Sequence, residues 1–587
     1  MPASRFHGWF VAAAAALVLL VRLGGPALWD DDEPKNAACS LAMLDANDWV
    51  VPTFNGRLRV EKPPLVNWFQ LAGFTVCGRN EIGARISAAT LTIGTCLLTW
   101  LIGCRLLGPD CGLFGGLAMA TCVWTAVGGR AATPDAPLLF FTTLALFLFV
   151  RGTGWSGLSG LSGLSGLSGW SAIGIGAACG AAMLAKGPIG VVLPGAAFVL
   201  FAVWESRSRP GTRWLDAVAG IRPFTILLTA LLVAAPWYAW VSLRTDGEWL
   251  RGFLFVHNVG RFATVMEGHS GSLFYYPAVV AVGLFPWSIV LAAMLVHATR
   301  ILWFGARSPA RSAADDERRR PLLLLASWLA VWIGGFSCAG TKLPGYIWPA
   351  YPALAIATGL FLADWARGRI DFQWPPFLAR SLAAAGVHDR GPDLVMRLAW
   401  SILAATGAAI AVGLPMAAHR LAPGGEWVGM FGLVPLATAA LAWRAQSAGH
   451  RQRAIATLAV GACLLVALVA SAGAETFSHS QGPRALVRQL GPPTRDCQWA
   501  CLWNVPPSLV FYTGATIKQL DTAEDVAAHL RRYPQGRVVI DSRQETLVAA
   551  VLPAGCDVLA RVPTLSDHDF LLIGRLPGHD TPLAQAD

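Results

Sequence analysis

The sequence predicts a polytopic α-helical membrane protein with a small α/β unit at its C-terminal end. Three observations lead there. Of 587 residues, 55% are hydrophobic and 14% charged, against roughly 25% charged in ordinary soluble domains. Apolar runs long enough to cross about 30 Å of hydrocarbon recur along most of the chain. After about residue 474 the texture changes to short apolar runs separated by turn residues. The formal charge of +10 does not point to nucleic acid. The basic residues gather in short loops between apolar runs, where membrane orientation and anionic lipid headgroups account for them. Membrane lipids are expected partners and nucleic acid is not.

Arg5 precedes the first run, 9–23, which reads as a retained span because no small-residue cleavage site follows it. Twelve more runs fall near 84–106, 112–128, 136–150, 171–185, 188–204, 224–241, 275–298, 321–338, 345–363, 398–417, 428–443 and 453–472. With the N-terminus cytoplasmic, the arginine-rich loops after the even-numbered spans lie inside, as the positive-inside rule requires. Thirteen spans then leave the last region outside. Between the first two spans, 34–46 and 65–74 carry apolar residues at near-helical spacing and read as short amphipathic helices on the membrane surface. The pieces 112–128 and 136–150 are short and meet at Gly128-Gly-Arg-Ala-Ala-Thr-Pro-Asp135. This polar turn marks a cavity boundary, since broken backbone at membrane depth must line protein or water. The Leu-Ser-Gly repeat at 157–169 is a linker. Residues 365–396 form a longer inside loop.

Three regions follow: a membrane module over 1–363, additional spans over 364–473, and an extracytoplasmic α/β unit over 474–587. In the last, 508–512, 537–541, 557–562 and 570–573 read as strands and 522–532 as a helix. No phosphate loop or nucleophile elbow occurs there, so the unit is expected to be structural or to position an acceptor. One disulfide among Cys497, Cys501 and Cys556 is compatible with an outside location.

Chemistry concentrates on the outside face. It offers Asp32 and Glu33, then Lys35, Lys62, Arg130 and Asp135, then His257, Arg261 and His269, and finally Lys342 and Tyr346. The acidic run at 30–33 reads equally well as a catalytic rim or a solvated loop. Asp135 is sharper, because a carboxylate at the end of a short apolar helix is costly unless paired or hydrated; an ion pair with Arg130 is the plain alternative. His257 and His269 do not stand at metal-motif spacing.

Leu28-Trp-Asp-Asp-Asp-Glu33, Met43-Leu-Asp-Ala-Asn-Asp-Trp-Val-Val-Pro52, Phe54-Asn-Gly56 and Glu61-Lys-Pro-Pro-Leu65 resemble the first extracytoplasmic loop of the bacterial aminoarabinose-transferase and protein-mannosyltransferase superfamily. Its members are GT-C fold glycosyltransferases that use polyprenyl-phosphate sugars. Thr133-Pro-Asp135, Ala185-Lys-Gly-Pro188, Phe274-Tyr-Tyr-Pro277, Phe285-Pro-Trp287 and Lys342-Leu-Pro-Gly-Tyr346 continue the resemblance over roughly residues 1–360. It implies an inverting transferase in the bacterial inner membrane, acting on an envelope glycolipid or a protein acceptor. Asp32 would be the principal catalytic carboxylate and Asp135 the second. Lys62, Lys35, Arg130, Lys342, Tyr346 and Arg261 would hold the donor phosphate. Glu61, with His257 or His269, would hold a divalent metal ion, the one cofactor the resemblance allows. Lys35 stands where the family usually has arginine and Asn36 where it usually has tyrosine. A protein O-mannosyltransferase and a multispan transporter are the competing readings. The transporter would need internal repeats with broken helices at mid-membrane.

Overall fold

The structure is a computed structural model that describes residues 2–29, 31–154, 166–207, 211–260, 271–272, 274–304, 313–370, 391–478, 482–490, 497–564 and 568–576. Most of the Leu-Ser-Gly repeat and of the 365–396 loop lies outside them.

Helix α1 (Pro2–Leu20) leads into α2 (Asp32–Asp45), the two-stranded hairpin β1 (Thr53–Phe54) and β2 (Arg57–Leu58), and α3 (Leu65–Cys77). The long α4 (Glu81–Leu107) follows, then α5 (Pro109–Ala120), α6 (Val123–Gly129), α7 (Asp135–Gly152), α8 (Gly169–Lys186) and α9 (Ile189–Ser206). Thus 34–46 and 65–74 are helical as their spacing predicts. Pro34 sits in the first turn of α2, where its missing N–H costs no hydrogen bond.

Among the described residues nine helices are long and apolar enough to cross a membrane. Two bent pairs, Pro109–Ala120 with Val123–Gly129 and Tyr275–Gly283 with Trp287–Trp303, raise the number to eleven. The other two predicted spans fall in the shorter apolar helix Phe6–Leu20 and in α8. The run 112–128 is therefore not one straight helix but α5 and α6, bent by 56°. Cys122 is extended at the break. The freed groups find protein partners: Val123 N–H donates to the Phe285 carbonyl at 3.0 Å, and the Trp287 indole donates to Thr121 Oγ1 at 2.9 Å.

The helices enclose two apolar cores. One joins α1, α4 and α5 to residues around Trp287, Trp348, Trp365 and Trp400. The other joins α7, α8 and α9 to Trp237, Trp249, Trp328 and Trp332.

The C-terminal residues form a five-stranded sheet from β3 (Trp499–Leu502), β4 (Lys518–Leu520), β5 (Arg537–Asp541), β6 (Cys556–Val562) and β7 (Phe570–Arg575), in the order β4-β3-β5-β7-β6. β3 runs parallel to β4 and β5, and β7 is antiparallel to β5 and β6. The parallel crossover from β4 to β5 uses the helix Ala523–Arg532, which opens on a Thr522/Asp525 capping box. Residues 508–512 are not a strand but the helix Pro507–Thr513. A five-residue apolar run does not distinguish the two; proline at the first turn and left-handed Gly514 after the end favour helix. Cys497, Cys501 and Cys556 are all free thiols, so no disulfide closes this region.

One face of the sheet packs on the helix Ala523–Arg532 through Leu502, Val526, Leu530, Val538 and Ile540. The other face, with Trp499, Cys501 and Leu572, joins a core that includes Leu28, Ala37 and Ala38, Phe74 and Ala84. Polar bonds fix the same contact. Asn55, at the tip of the hairpin, donates to the Ile517 carbonyl at 3.0 Å and accepts its N–H at 2.7 Å. Arg484 pairs with Glu81 at 2.9 Å, and the Tyr512 hydroxyl accepts the Leu28 N–H.

Candidate active site

The acidic run divides by burial. Glu33 is buried and forms a two-point pair with buried Arg85, Nε to Oε1 at 2.9 Å and Nη2 to Oε2 at 2.7 Å. Arg85 also donates to the carbonyls of Leu23, Pro26 and Ala27. Glu33 Oε1 accepts the Ala132 N–H at 2.7 Å, and one helical turn later Asn36 Nδ2 donates to the Ala132 carbonyl at 3.0 Å. Positions i and i+3 share a helix face, so α2 grips both polar groups of one peptide residue just ahead of Asp135. Asp31 and Asp32 are exposed, whereas Asp30 lies outside the described residues.

A second cluster stands one turn along. Lys35 Nζ donates to Glu61 Oε1 at 2.7 Å, and Arg59 Nε donates to Oε2 at 2.9 Å. Buried Arg59 also donates from Nη2 to Asn36 Oδ1 at 2.7 Å. Burial alone would raise the Glu61 carboxyl, but the Arg59 and Lys35 charges overcome it and hold the group down to about 2. Asn36, the departure from the resembling family, thus ties Arg59 to the loop before Asp135.

Asp135 is the first residue of α7, where a carboxylate favours the helix dipole. Its partner is not Arg130 but Lys186, whose ammonium bonds Oδ1 and lies 5.0 Å from the Tyr346 ring centroid. Asp32 adds its charge to that of Asp135 at the Lys186 ammonium. Lys186 ends α8, and Gly187 turns the chain with φ of +84°. A Cβ there would meet Phe253 at 2.6 Å, so glycine is required both by conformation and by space. Gly345 brings the Lys342–Tyr346 loop to the same place: a Cβ on it would lie 3.7 Å from Asp135 Oδ1.

These groups stand at the lip of a cavity of about 820 Å³. Glu61, Lys62, Lys186, His257 and Tyr346 supply its polar part, while Val192, Leu193, Phe253, Leu254 and Phe336 represent its apolar lining. The structure thus brings Asp135, Lys186 and Tyr346 together with Glu61 and Lys62 around one space. It places two candidates elsewhere. Arg130 spends its guanidinium on the carbonyls of Val18, Leu19, Val21 and Arg22, closing the C-terminal end of α1, so it is a helix cap and not a phosphate ligand. Lys342 donates to the Ala339 carbonyl at 2.8 Å. Arg261 and His269 lie outside the described residues.

The metal reading does not fit the donor set. Both Glu61 oxygens are taken by cations, and among the described residues no three histidine, cysteine, aspartate or glutamate side chains gather as a metal site. No catalytic step is therefore routed through a metal ion. Sequence reasoning passed over Arg59, Arg85 and Lys186. The first two are buried bases in a loop dense with acids, a pattern that signals pairing. Lys186 was visible within Ala185-Lys-Gly-Pro188, at the end of an apolar run, where a lone lysine requires a partner.

Comparison with known proteins agrees with this geometry. Residues 61–240 match the family described as dolichyl-phosphate-mannose-protein mannosyltransferase. The undecaprenyl phosphate-alpha-4-amino-4-deoxy-L-arabinose arabinosyl transferase of Pseudomonas aeruginosa is 31% identical over 347 residues, 59% of this chain and 58% of that one. Its namesake from Edwardsiella ictaluri is 28% identical over 354 residues, 60% and 59% of the two chains. The chain thus matches less than two thirds of the length of these curated relatives. The crystal structure of ArnT from Cupriavidus metallidurans bound to undecaprenyl phosphate superimposes with a TM-score of 0.73 at 21% identity, covering 96% of this chain and 98% of that one.

Proposed function

We propose, for a chain that belongs to the GT-C glycosyltransferase superfamily, that it moves a sugar from a polyprenyl-phosphate donor to an envelope acceptor. The observation that carries this reading is the cavity of about 820 Å³, apolar along most of its lining and ending at Lys62, Lys186, Tyr346 and Asp135. A lipid-linked phosphate needs that combination: an apolar bed for the chain, cations for the phosphate, and a carboxylate near the reacting carbon.

The reaction is a single displacement. The acceptor oxygen attacks the anomeric carbon, and the bond from that carbon to the phosphate oxygen breaks, its electron pair leaving with the phosphate. Lys62 and Lys186 stabilise the charge that grows there. Asp32 orients the acceptor and takes its proton where one is present. Asp135 holds the Lys186 ammonium in place. Configuration inverts, because no nucleophile and separate acid are arranged for two displacements.

Lys62→Ala is expected to weaken the affinity of the purified protein for undecaprenyl phosphate about tenfold, the value of one charge-assisted contact. An unchanged dissociation constant counts against the donor site. The reading also sets the N-terminus in the cytoplasm and residues 474–587 on the opposite side of the inner membrane. A reporter fused at the C-terminus should be active only in the extracytoplasmic space, and a cytoplasmic signal sinks this orientation.

A further inference from the structure

A second cavity, of about 630 Å³, opens between the hairpin β1–β2 and the edge strand β4. It meets the first at Glu61, which lines both. The two differ in chemistry. The first is mostly apolar; the second presents Lys35, Arg57, Arg59 and Lys518 against the single carboxylate of Glu61. Glu61 already neutralises Lys35 and Arg59 by direct pairing. Arg57 and Lys518 are both exposed, and neither forms an ion pair among the described residues. The nearest acid on the Lys518 side, Asp525, feels that charge but is bound to Thr522. Two uncompensated cations therefore face one cleft, one from the first loop and one from the C-terminal sheet. Exposed amides of Asn504 and Gln519 stand beside them.

We propose that this cleft is the acceptor site and that it takes the anionic sugar headgroup of a glycolipid, held by Arg57 and Lys518. The inference rests on the transferase reading and adds where the acceptor lies and which residues choose it. A neutral hydroxyl on a protein gives these two cations nothing to neutralise, and an acyl chain has no apolar bed here. A phosphate or carboxylate on a sugar satisfies both, the guanidinium as a fork and the ammonium as a point charge. The Asn55–Ile517 bonds hold the two walls at a fixed spacing. An acceptor seated there has its reactive end directed toward Glu61 and the donor cavity.

The test uses the full chain in lipid nanodiscs with three probes: undecaprenyl phosphate, bis-phosphorylated lipid A, and the same glycolipid stripped of its phosphates. The double charge reversal Arg57→Glu with Lys518→Glu should weaken binding of the phosphorylated glycolipid about a hundredfold, roughly tenfold for each charged contact. Affinity for undecaprenyl phosphate should stay within about twofold, and Arg57→Lys with Lys518→Arg should keep most of the glycolipid affinity. The stripped glycolipid should bind the native chain as weakly as the phosphorylated one binds the reversed variant. Inorganic phosphate at millimolar concentration should not displace the glycolipid, which separates a headgroup site from a free-phosphate site. Equal binding of the two glycolipids to the native chain, or retention of the phosphorylated one by the reversed variant, overturns the proposal; so does displacement by inorganic phosphate. Failure of the native chain to bind undecaprenyl phosphate overturns the donor reading separately, since the glycolipid comparison does not depend on it.

Discussion

Asp32→Asn abolishes sugar transfer while the protein folds and unfolds as before: this is the result expected from the place of Asp32 in the site. The side chain is exposed and makes no hydrogen bond among the described residues, so the fold does not depend on it. Its charge acts instead on Lys186, beside Asp135. Asparagine keeps the shape and removes both the charge and the capacity to accept a proton. General-base losses run to roughly 10²–10⁴ in rate, which brings turnover to the background of most assays. The check is transfer from a polyprenyl-phosphate sugar by purified variant, together with its thermal midpoint. Turnover within about threefold of the native chain ends the assignment of Asp32.

The adjacent residue should behave in the opposite way. Glu33→Ala leaves Arg85 charged and buried without its partner, and removes the acceptor for the Ala132 N–H. Breaking a buried pair on one side costs about 3–5 kcal/mol, a large fraction of the stability of most proteins. Loss of folded protein is therefore expected, with activity falling only as the folded fraction falls. Glu33→Met with Arg85→Met removes both charges at once and should recover part of the loss. A Glu33→Ala variant with an unchanged thermal midpoint contradicts the structural role; so does a double variant less stable than the two single losses combined.

That contrast shows how far the sequence was legible. Composition and hydropathy located helices at every predicted span, because burial in hydrocarbon leaves a long one-dimensional trace. The pairing of charges left no such trace. Asp32 and Glu33 are neighbours of the same type, and only the turn of α2 decides that one faces water and the other faces Arg85. Asp135 was recognised as needing a partner, but the nearest basic residue in sequence, Arg130, points to the end of α1. Lys186, remote in sequence, arrives through the packing of α8 on α7. The bend at Thr121 and Cys122 was hidden for a similar reason: its backbone groups are satisfied by Phe285 and Trp287, more than a hundred positions away.

The face of the C-terminal sheet that packs on α2 bears on how such chains could be recombined. Leu28, Ala37, Ala38, Phe74 and Ala84 on one side meet Trp499, Leu509 and Phe511 on the other, and Arg484 with Tyr512 completes the seam at Glu81. A chimera cut at the last membrane helix would join two surfaces that had never been matched, leaving Glu81 without its arginine. A workable graft must carry the first loop and the C-terminal sheet together, although more than four hundred residues separate them along the chain. The unit of inheritance here is a pair of distant segments, not a stretch of sequence.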